Sequence, residues 1–369
     1  MRRLSRQLTL ALSLALSGCS FFGAGGNSEE SCDLALAALC ELPFGTSPTF
    51  GGETEIDTSS DARCNAILPP DMEKGIPELC VITGTAITIK ANAVVRATGA
   101  RALALVAREN LSIYGTLDVS SHRESTLRST VSELVGAGAG STCPAFARMP
   151  GGGTLGGAGG AGGSFSGSGG AGGAGDTDDT NVAGGLPGAA LTAQEVGTLH
   201  AGCAGQGGGA AAVAGGDGGQ GGGAVYLASM KVVQVIGEGK IGANGAGGKG
   251  GGPLAGGGGG GSGGMIVVDA PLVIVAGLIS ANGGGGGEGG DGTAGGDGAD
   301  GTLSVSPARG GASGASLAKG GNGAAASTTA TPGDGSITSG GGGGGSVGVV
   351  RFRTDDLKTT GGMISPPPT

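Results

Sequence analysis

Few side chains in this sequence are suited to chemistry, and they are scattered. His122 and His200 are its two histidines. Both sit in polar stretches without a serine nucleophile or an aspartate at a recognisable spacing, so no catalytic triad is expected. Asp118, Arg96, Arg101, Arg108 and Glu109 fall in strand-like sequence, and Asp269 in a later strand-like run. A polysaccharide lyase or hydrolase would need two convergent carboxylates or an acidic metal cluster. It would also need aromatic platforms, and the chain has no Trp and only Tyr114 and Tyr226 as tyrosines. A solvated strand face explains these charges better, and no enzyme activity is expected. "GGDGADGTL" at 295–303 comes near the calcium nonapeptide G-G-x-G-x-D-x-U-x, with Asp300 in the ligand position. Thr302 stands where a large apolar residue belongs, and tandem copies are missing. A half-site offers too few oxygens for the six to eight that Ca²⁺ prefers. Asp297 and Asp300 are thus weak calcium candidates, as is the acidic turn "DTDDTN" at 176–181. No metal and no cofactor are expected.

The first twenty residues, "MRRLSRQLTLALSLALSGCS", carry a different chemistry. Arg2, Arg3 and Arg6 precede an apolar run at 8–16. That is the pattern of a secretory leader, and the run is too short to span a bilayer. Leu16-Ser17-Gly18-Cys19 resembles a bacterial lipobox. The resemblance implies a leader at 1–18 and a Cys19 thiolate that takes a diacylglycerol thioether. Stable anchoring needs two acyl chains or more, which lipoprotein modification supplies. Ser20 lacks the aspartate character of an inner-membrane retention signal, so the resemblance implies export to the outer membrane.

The cysteine count agrees. Seven is an awkward number for an exported chain. With Cys19 lipidated, six remain: Cys32, Cys40, Cys64, Cys80, Cys143 and Cys203. The sequential pairing Cys32–Cys40, Cys64–Cys80 and Cys143–Cys203 is expected among the 15 that six cysteines allow. The alternative is a metal site, but no spacing is C-x-x-C, and an oxidising compartment favours disulfides.

Composition narrows the function classes. A quarter of the chain is glycine, 92 of 369 residues. Proline is too sparse for collagen. Removing Arg2, Arg3 and Arg6 leaves 17 basic against 29 acidic residues, taking the formal charge from −9 to −12. Nucleic-acid binding rests on Lys and Arg, so no nucleic-acid partner is expected.

These residues must be held by an all-β scaffold. A cysteine-bearing segment at 31–80 includes a short helix expected near 33–39 and loop-like sequence around Pro43, Pro48, Pro69 and Pro70. From residue 81 apolar residues alternate: Ile87 and Ile89, Val95 and Ala97, Leu103 and Leu105, Leu111 and Ile113, Leu117 and Val119. That is the period of half-buried strands. The pattern recurs. "YGTLDVS" (114–120), "EGKIGANG" (238–245) and "AGLISANG" (276–283) align as G-x-[LI]-x-[AV]-[NS], with a degenerate "GGMISPP" at 361–367. One expected inward set is Ile266, Val268, Ala270, Val273, Val275, Ile279 and Ala281. Its first-copy equivalents are Leu103, Leu105, Ala107, Leu111, Ile113, Leu117 and Val119, with a one-residue slip that reads as a bulge or altered corner. Units of about twenty residues that cannot bury an apolar face alone predict a solenoid, most simply a short single-stranded parallel β-helix of about five layers.

Glycine-rich excursions interrupt the repeats at about 121–222, 246–262 and 284–345. Much of them reads G-G-X. A three-residue period matches a polyproline-II-like helix, which has no internal hydrogen bonds. Its N–H and C=O groups are free to bond neighbours, and two bare sides allow close approach. Hairpins of polyglycine-II-like helices are therefore expected, with X forming the third side. The competing reading is flexible linker; the triplet rhythm and the cysteines inside the first excursion favour order. The divisions expected are 1–18, 19–63, first layers at 64–120, an excursion at 121–222, and further layers with two excursions at 223–369.

The lipobox, "ATGARALALVA" (97–107), "GTLDVSS" (115–121) and two six-glycine runs ending in Ser before a strand resemble glycine-rich secreted lipoproteins of myxobacterial type. The glycine bundle is similar to those of certain phage tail-tip adhesins and insect-type antifreeze proteins. The resemblance names no biochemical activity; the expected function is that of a non-enzymatic, lipid-anchored envelope protein with a structural or adhesive role. Its partners would be the bilayer, surface polysaccharide or other envelope proteins. A polysaccharide-active enzyme and a ligand- or ice-binding module are the alternatives.

Overall fold

A computed structural model describes residues 34–70, 76–123, 134–138, 143–191, 199–313 and 317–369. Its described residues are rich in sheet and contain no α-helix; a 3₁₀ turn at Ala37–Glu41 stands where a short helix was expected slightly earlier. Sixteen strands are present: β1 Thr49–Phe50, β2 Glu53–Asp57, β3 Ala66–Leu68, β4 Leu79–Ile89, β5 Val94–Thr98, β6 Ala102–Ile113, β7 Thr116–Asp118, β8 Ala224–Ser229, β9 Val232–Val235, β10 Lys240–Gly242, β11 Met265–Asp269, β12 Leu272–Val275, β13 Leu278–Ser280, β14 Val349–Arg353, β15 Asp356–Thr359 and β16 Met363–Ser365. The layers begin at Thr49, upstream of the expected boundary at residue 64.

Among these sixteen strands every pairing is parallel except β3 with β4. One sheet is a six-strand succession, β2-β5-β7-β10-β13-β16. In the other, β4 pairs β6, and β8 and β9 lie end to end along the far edge of β6. β11 and β12, then β14 and β15, continue those two columns.

The registers follow the repeat seen in the sequence. Leu117, Ile241, Ile279 and Ile364 are successive partners, as are Asp118, Gly242, Ser280 and Ser365. Both expected inward sets lie in one buried core drawn from the two sheets. A one-residue register slip would turn every inward side chain outward, so that core fixes the stacking. The slip falls at a corner: Asp269 pairs Ala228 and Leu272 pairs Val232, so two residues, Ala270 and Pro271, stand opposite three. A second irregularity lies between Gly84 and Ala86.

Beside the core the [NS] position of the repeat forms a polar ladder. Asn244 donates from its backbone and side-chain amides to Ser120 Oγ. Asn282 N–H donates to Asn244 Oδ1, and Ser365 Oγ, two positions earlier in the degenerate fourth copy, donates to Asn282 Oδ1. Asn282 Nδ2 donates instead to the carbonyls of Thr302 and Ser304, so each buried amide finds a partner, as burial of polar groups requires.

A strap crosses the outside of the larger sheet. Ala35 N donates to Asp269 Oδ2 at 2.7 Å, on β11. Thr83 and Thr85, on and beside the bulge of β4, donate to the carbonyls of Pro43 and Phe44. Leu34, Leu36 and Leu39 are buried on this path. Residues Leu79, Val81, Ala104, Val106, Tyr226 and Val267 are buried although their strand neighbours fill the inner core. Both faces of this part of the sheet are therefore covered, which is why it reads as continuous apolar runs.

The glycine tracts carry no strands, yet they are densely bonded. In the tract 256–264, the N–H groups of Gly256, Gly259 and Ser262 donate to Gly209, Gln206 and Cys203. Those of Gly257, Gly260 and Gly263 donate to Gly340, Gly343 and Ser346. Those of Gly258, Gly261 and Gly264 donate to Lys249, Ala246 and Ala243. The tract also accepts from Gly160 and Gly163, from Gly216, Gly219 and Gly222, and from Gly284 and Gly287. It therefore has six neighbours, three as donor and three as acceptor, each met every third residue. The second six-glycine run, 340–345, also has six: it donates toward 157–163, 331–334 and 284–287, and accepts from 257–263, 170–173 and 321–324. Both uninterrupted glycine runs are fully surrounded. Where a tract is peripheral, X is polar and exposed, as at Asp217 and Lys249. Not every X faces solvent, however: Ala158, Ala161 and Ala246 are buried, their methyls small enough to lie between tracts.

Candidate functional site

The densest polar cluster joins the first excursion to two others. Asp118 ends β7, and the chain turns away through Ser120 and Ser121 to His122. Asp118 Oδ1 accepts from Ser120 N at 3.0 Å, and Oδ2 meets His122 Nε2 at 3.0 Å. On its other side His122 Nδ1 stands 3.7 Å from Asp300 Oδ2. Asp300 Oδ1 accepts from Gly247 N at 2.8 Å, and its carboxylate also faces Arg123 N. Arg123 Nε lies 3.4 Å from Asp297 Oδ2, while Asp297 Oδ1 accepts from Gly250 N. The Arg123 guanidinium also donates to the carbonyls of Gly248 and Gly298. The cluster thus laces the exit from β7 to the tracts 247–250 and 297–300.

Its electrostatics are those of a fixed ion. Burial works against the His122 charge, but the bonds to Asp118 and then Asp300 outweigh it and raise the imidazole from 6.5 to about 10. Burial likewise works against the Asp118 and Asp300 charges, and the His122 bond prevails, holding both below 3.8. With both ring nitrogens facing carboxylates, His122 is spent as an imidazolium and offers no free lone pair to a base reaction or a metal.

A pH dependence follows by linkage. His122 holds its proton more tightly folded than unfolded, so its contribution is whole below pH 6.5 and is lost as pH rises toward about 10. Asp118 and Asp300 act oppositely, favouring the fold above pH 3.8 and losing that contribution as pH falls. The urea midpoint should therefore hold level at mildly acidic pH and decline through the alkaline range. His122→Gln should flatten the alkaline limb. An unchanged alkaline slope in that variant would contradict the assignment.

The other expected residues do not converge with this cluster. Asp297 and Asp300, the calcium candidates, spend their oxygens on backbone N–H groups, Arg123 and His122. Among the described residues no group of three or more His, Cys, Asp or Glu is placed to hold a metal. Asp176, in the other acidic turn, accepts from Thr180 instead. Asp269 belongs to the strap: it accepts from the Tyr226 hydroxyl and faces Arg353 Nη1 at 3.4 Å. Burial, with the Asp269 charge, pushes the Tyr226 phenol up. Arg101 faces Glu78 at 3.1 Å and donates to the carbonyls of Thr58 and Ser59. Glu109 pairs with Lys231 at 3.5 Å, and His200 packs beside Phe165. Two expected disulfides are present, Cys64–Cys80 and Cys143–Cys203. Cys19 and Cys32, and with them the lipidation site and the Cys32–Cys40 pair, lie outside the described residues.

One buried carboxylate had no prominence in the sequence. Glu288 interrupts a glycine run and is fully buried; its Oε2 accepts from Gly296 N and Ser313 N, joining three tracts. Its position as the one charged break in "GGGGGEGG" was the available signal.

Cavities exist at the margins. One of about 430 Å³ opens at the first layer, lined by Phe50, Thr54, Arg63, Asn65 and Thr83. Arg63 there is taken up by Asp61, and Asn65 by Thr83.

Comparison with protein-family models, with curated proteins and with solved structures returned no match to this chain.

Proposed function

We propose that this chain is a non-enzymatic, lipid-anchored protein of the cell envelope with a structural or adhesive role. Its body would be a short parallel β-helix carrying a bundle of polyglycine-II-like helices. The observation that carries this reading is the continuity of backbone bonding from layers to tracts. Gly264 N donates to Ala243 and Val349 N to Gly264, while Gly348 N donates to Ala281. The strand ladder thus passes into the glycine ladder without a break. Such a body is rigid without large side chains, which suits a surface element rather than a reaction site.

The repeating register supports the β-helix, since layers that meet residue for residue are what a solenoid requires. The six-neighbour pattern supports the polyglycine arrangement. So does the backbone: among the described residues, no glycine of 256–264 or 340–348 takes a left-handed φ, as an extended three-residue helix of polyproline-II hand demands.

Anchoring rests on the leader and Cys19. The expected partners are the bilayer through the acylated Cys19, and surface polysaccharide or other envelope proteins. Mass spectrometry of the mature chain should find residue 19 as its N-terminus with thioether-linked and amide-linked acyl groups. Cys19→Ser should move the protein from the outer-membrane fraction to the soluble one. An unacylated mature N-terminus elsewhere would overturn the anchoring.

A further inference from the structure

The tracts run out from the layers and back, and six of their turns gather at one end. Gly157 N donates to Leu254, Gly153 N to Ala210, Gly290 N to Ala255, and Asp176 N to Thr338. Gly289 N donates to Ala318 at the same level. The turns at 149–155, 176–181, 210–213, 252–255, 291–294 and 336–339 are therefore neighbours, with Leu317 beside them. Behind them stands the bonded bundle, which fixes their spacing.

This end is unlike the rest of the surface. Leu155, Val213, Leu317 and Ile337 are 56%, 42%, 71% and 57% exposed, and Met149 is 69% exposed. Those five are half of the ten exposed large apolar side chains among the described residues, so the patch is a concentration and not a scatter. Leu254, at the turn of the central tract, holds a φ of 63°. A bulky residue in the left-handed region is strained, and such strain concentrates at functional surfaces. The six turns contain Asp178, Asp179 and Asp291, all exposed, and no Lys or Arg. They also contain no aromatic side chain on which a sugar ring could stack.

We propose that this end of the bundle, through Leu155, Val213, Leu254, Leu317 and Ile337, docks a protein partner whose contact surface is apolar and ringed by Lys or Arg. The aliphatic side chains supply contact area, and the aspartates select basic surfaces and repel anionic envelope material. The proposal rests on the adhesive reading above and names the surface and partner class for it. Rigid mounting lowers the ordering cost that loops otherwise meet on binding.

The test uses the full chain in detergent and a synthetic amphipathic peptide of Leu and Lys as probe. A Leu/Glu peptide, phosphatidylcholine vesicles and dextran serve as comparisons. The Leu/Lys peptide should bind and protect amides at 210–213 and 252–255 from hydrogen exchange. Combined Leu155→Ser, Val213→Ser and Ile337→Ser should weaken it about tenfold. Leu357→Ser with Met363→Ser, exposed on the last layer, should not. Absent binding, equal binding by the triple variant, equal binding of the Leu/Glu peptide, or the same footprint from vesicles or dextran would overturn the proposal. Acylation of Cys19 is scored on the same material. An acylated chain whose turns bind nothing removes the docking surface and leaves the anchor; a binding chain without acylation does the reverse.

Discussion

Gly343→Ala should destabilise the protein severely, while Gly207→Ala should be nearly silent. Both positions lie in glycine tracts and both have ordinary φ. A Cβ at Gly343 would stand 2.0 Å from the carbonyl oxygen of Gly170 and 2.8 Å from that of Ala171. These are backbone atoms of a bonded neighbour and cannot turn aside. Relief requires tracts to separate, which breaks bonds at every third residue along both. A loss on the order of 3 kcal/mol or more is expected, since overpacking and broken buried bonds add. At Gly207 the nearest atom to such a Cβ is Gly216 O at 3.6 Å, an ordinary contact. There alanine removes freedom from the unfolded chain and should be neutral or slightly stabilising. Urea unfolding of the two variants checks this. If Gly343→Ala keeps the wild-type midpoint, the tracts are not packed as described.

Removing the Cys143–Cys203 bond should have an effect of similar size. The bond closes a loop with a sequence separation of 60, which in the chain-entropy account contributes about 4 kcal/mol. Cys203 sits inside a tract: its N–H donates to Ser262 Oγ and its carbonyl accepts from Ser262 N. The disulfide therefore clamps the segment beginning at Cys143 onto a neighbour of the central tract. Cys143→Ser with Cys203→Ser should lower the thermal midpoint more than Cys64→Ser with Cys80→Ser, whose separation is 16. The reverse order would show that the first excursion contributes little to global stability.

How much of this could be read in the sequence depends on distance along the chain. The layers were legible because the repeat G-x-[LI]-x-[AV]-[NS] reports a local period, and stacking turns that period into register. Leu117, Ile241 and Ile279 aligned as text and pair in space. The glycine triplets were legible for the same reason. The first layer was not, because Pro43 and Pro48 gave its approach the look of a loop, and β1 and β2 total few residues. The strap was hidden because Leu34, Leu36 and Leu39 show no period; Ala35 meets Asp269 across 234 residues. The His122 cluster was hidden likewise: its second carboxylate, Asp300, arrives from a different excursion, and a single sequence does not say which excursions touch. Asp300 drew notice as a calcium half-site; in the structure its oxygens meet backbone N–H groups and the His122 ring.

The six-glycine runs change meaning on this account. Each is a tract with six bonded neighbours, where an added side chain meets backbone. The most direct measurement is amide hydrogen exchange of Gly257–Gly264 and Gly340–Gly345, resolved by NMR. Ordered, fully bonded tracts predict protection comparable with that of β8 and β11, opening only with global unfolding. Exchange at the rate of an unstructured glycine chain, with the strands still protected, would contradict the account and make the tracts linkers.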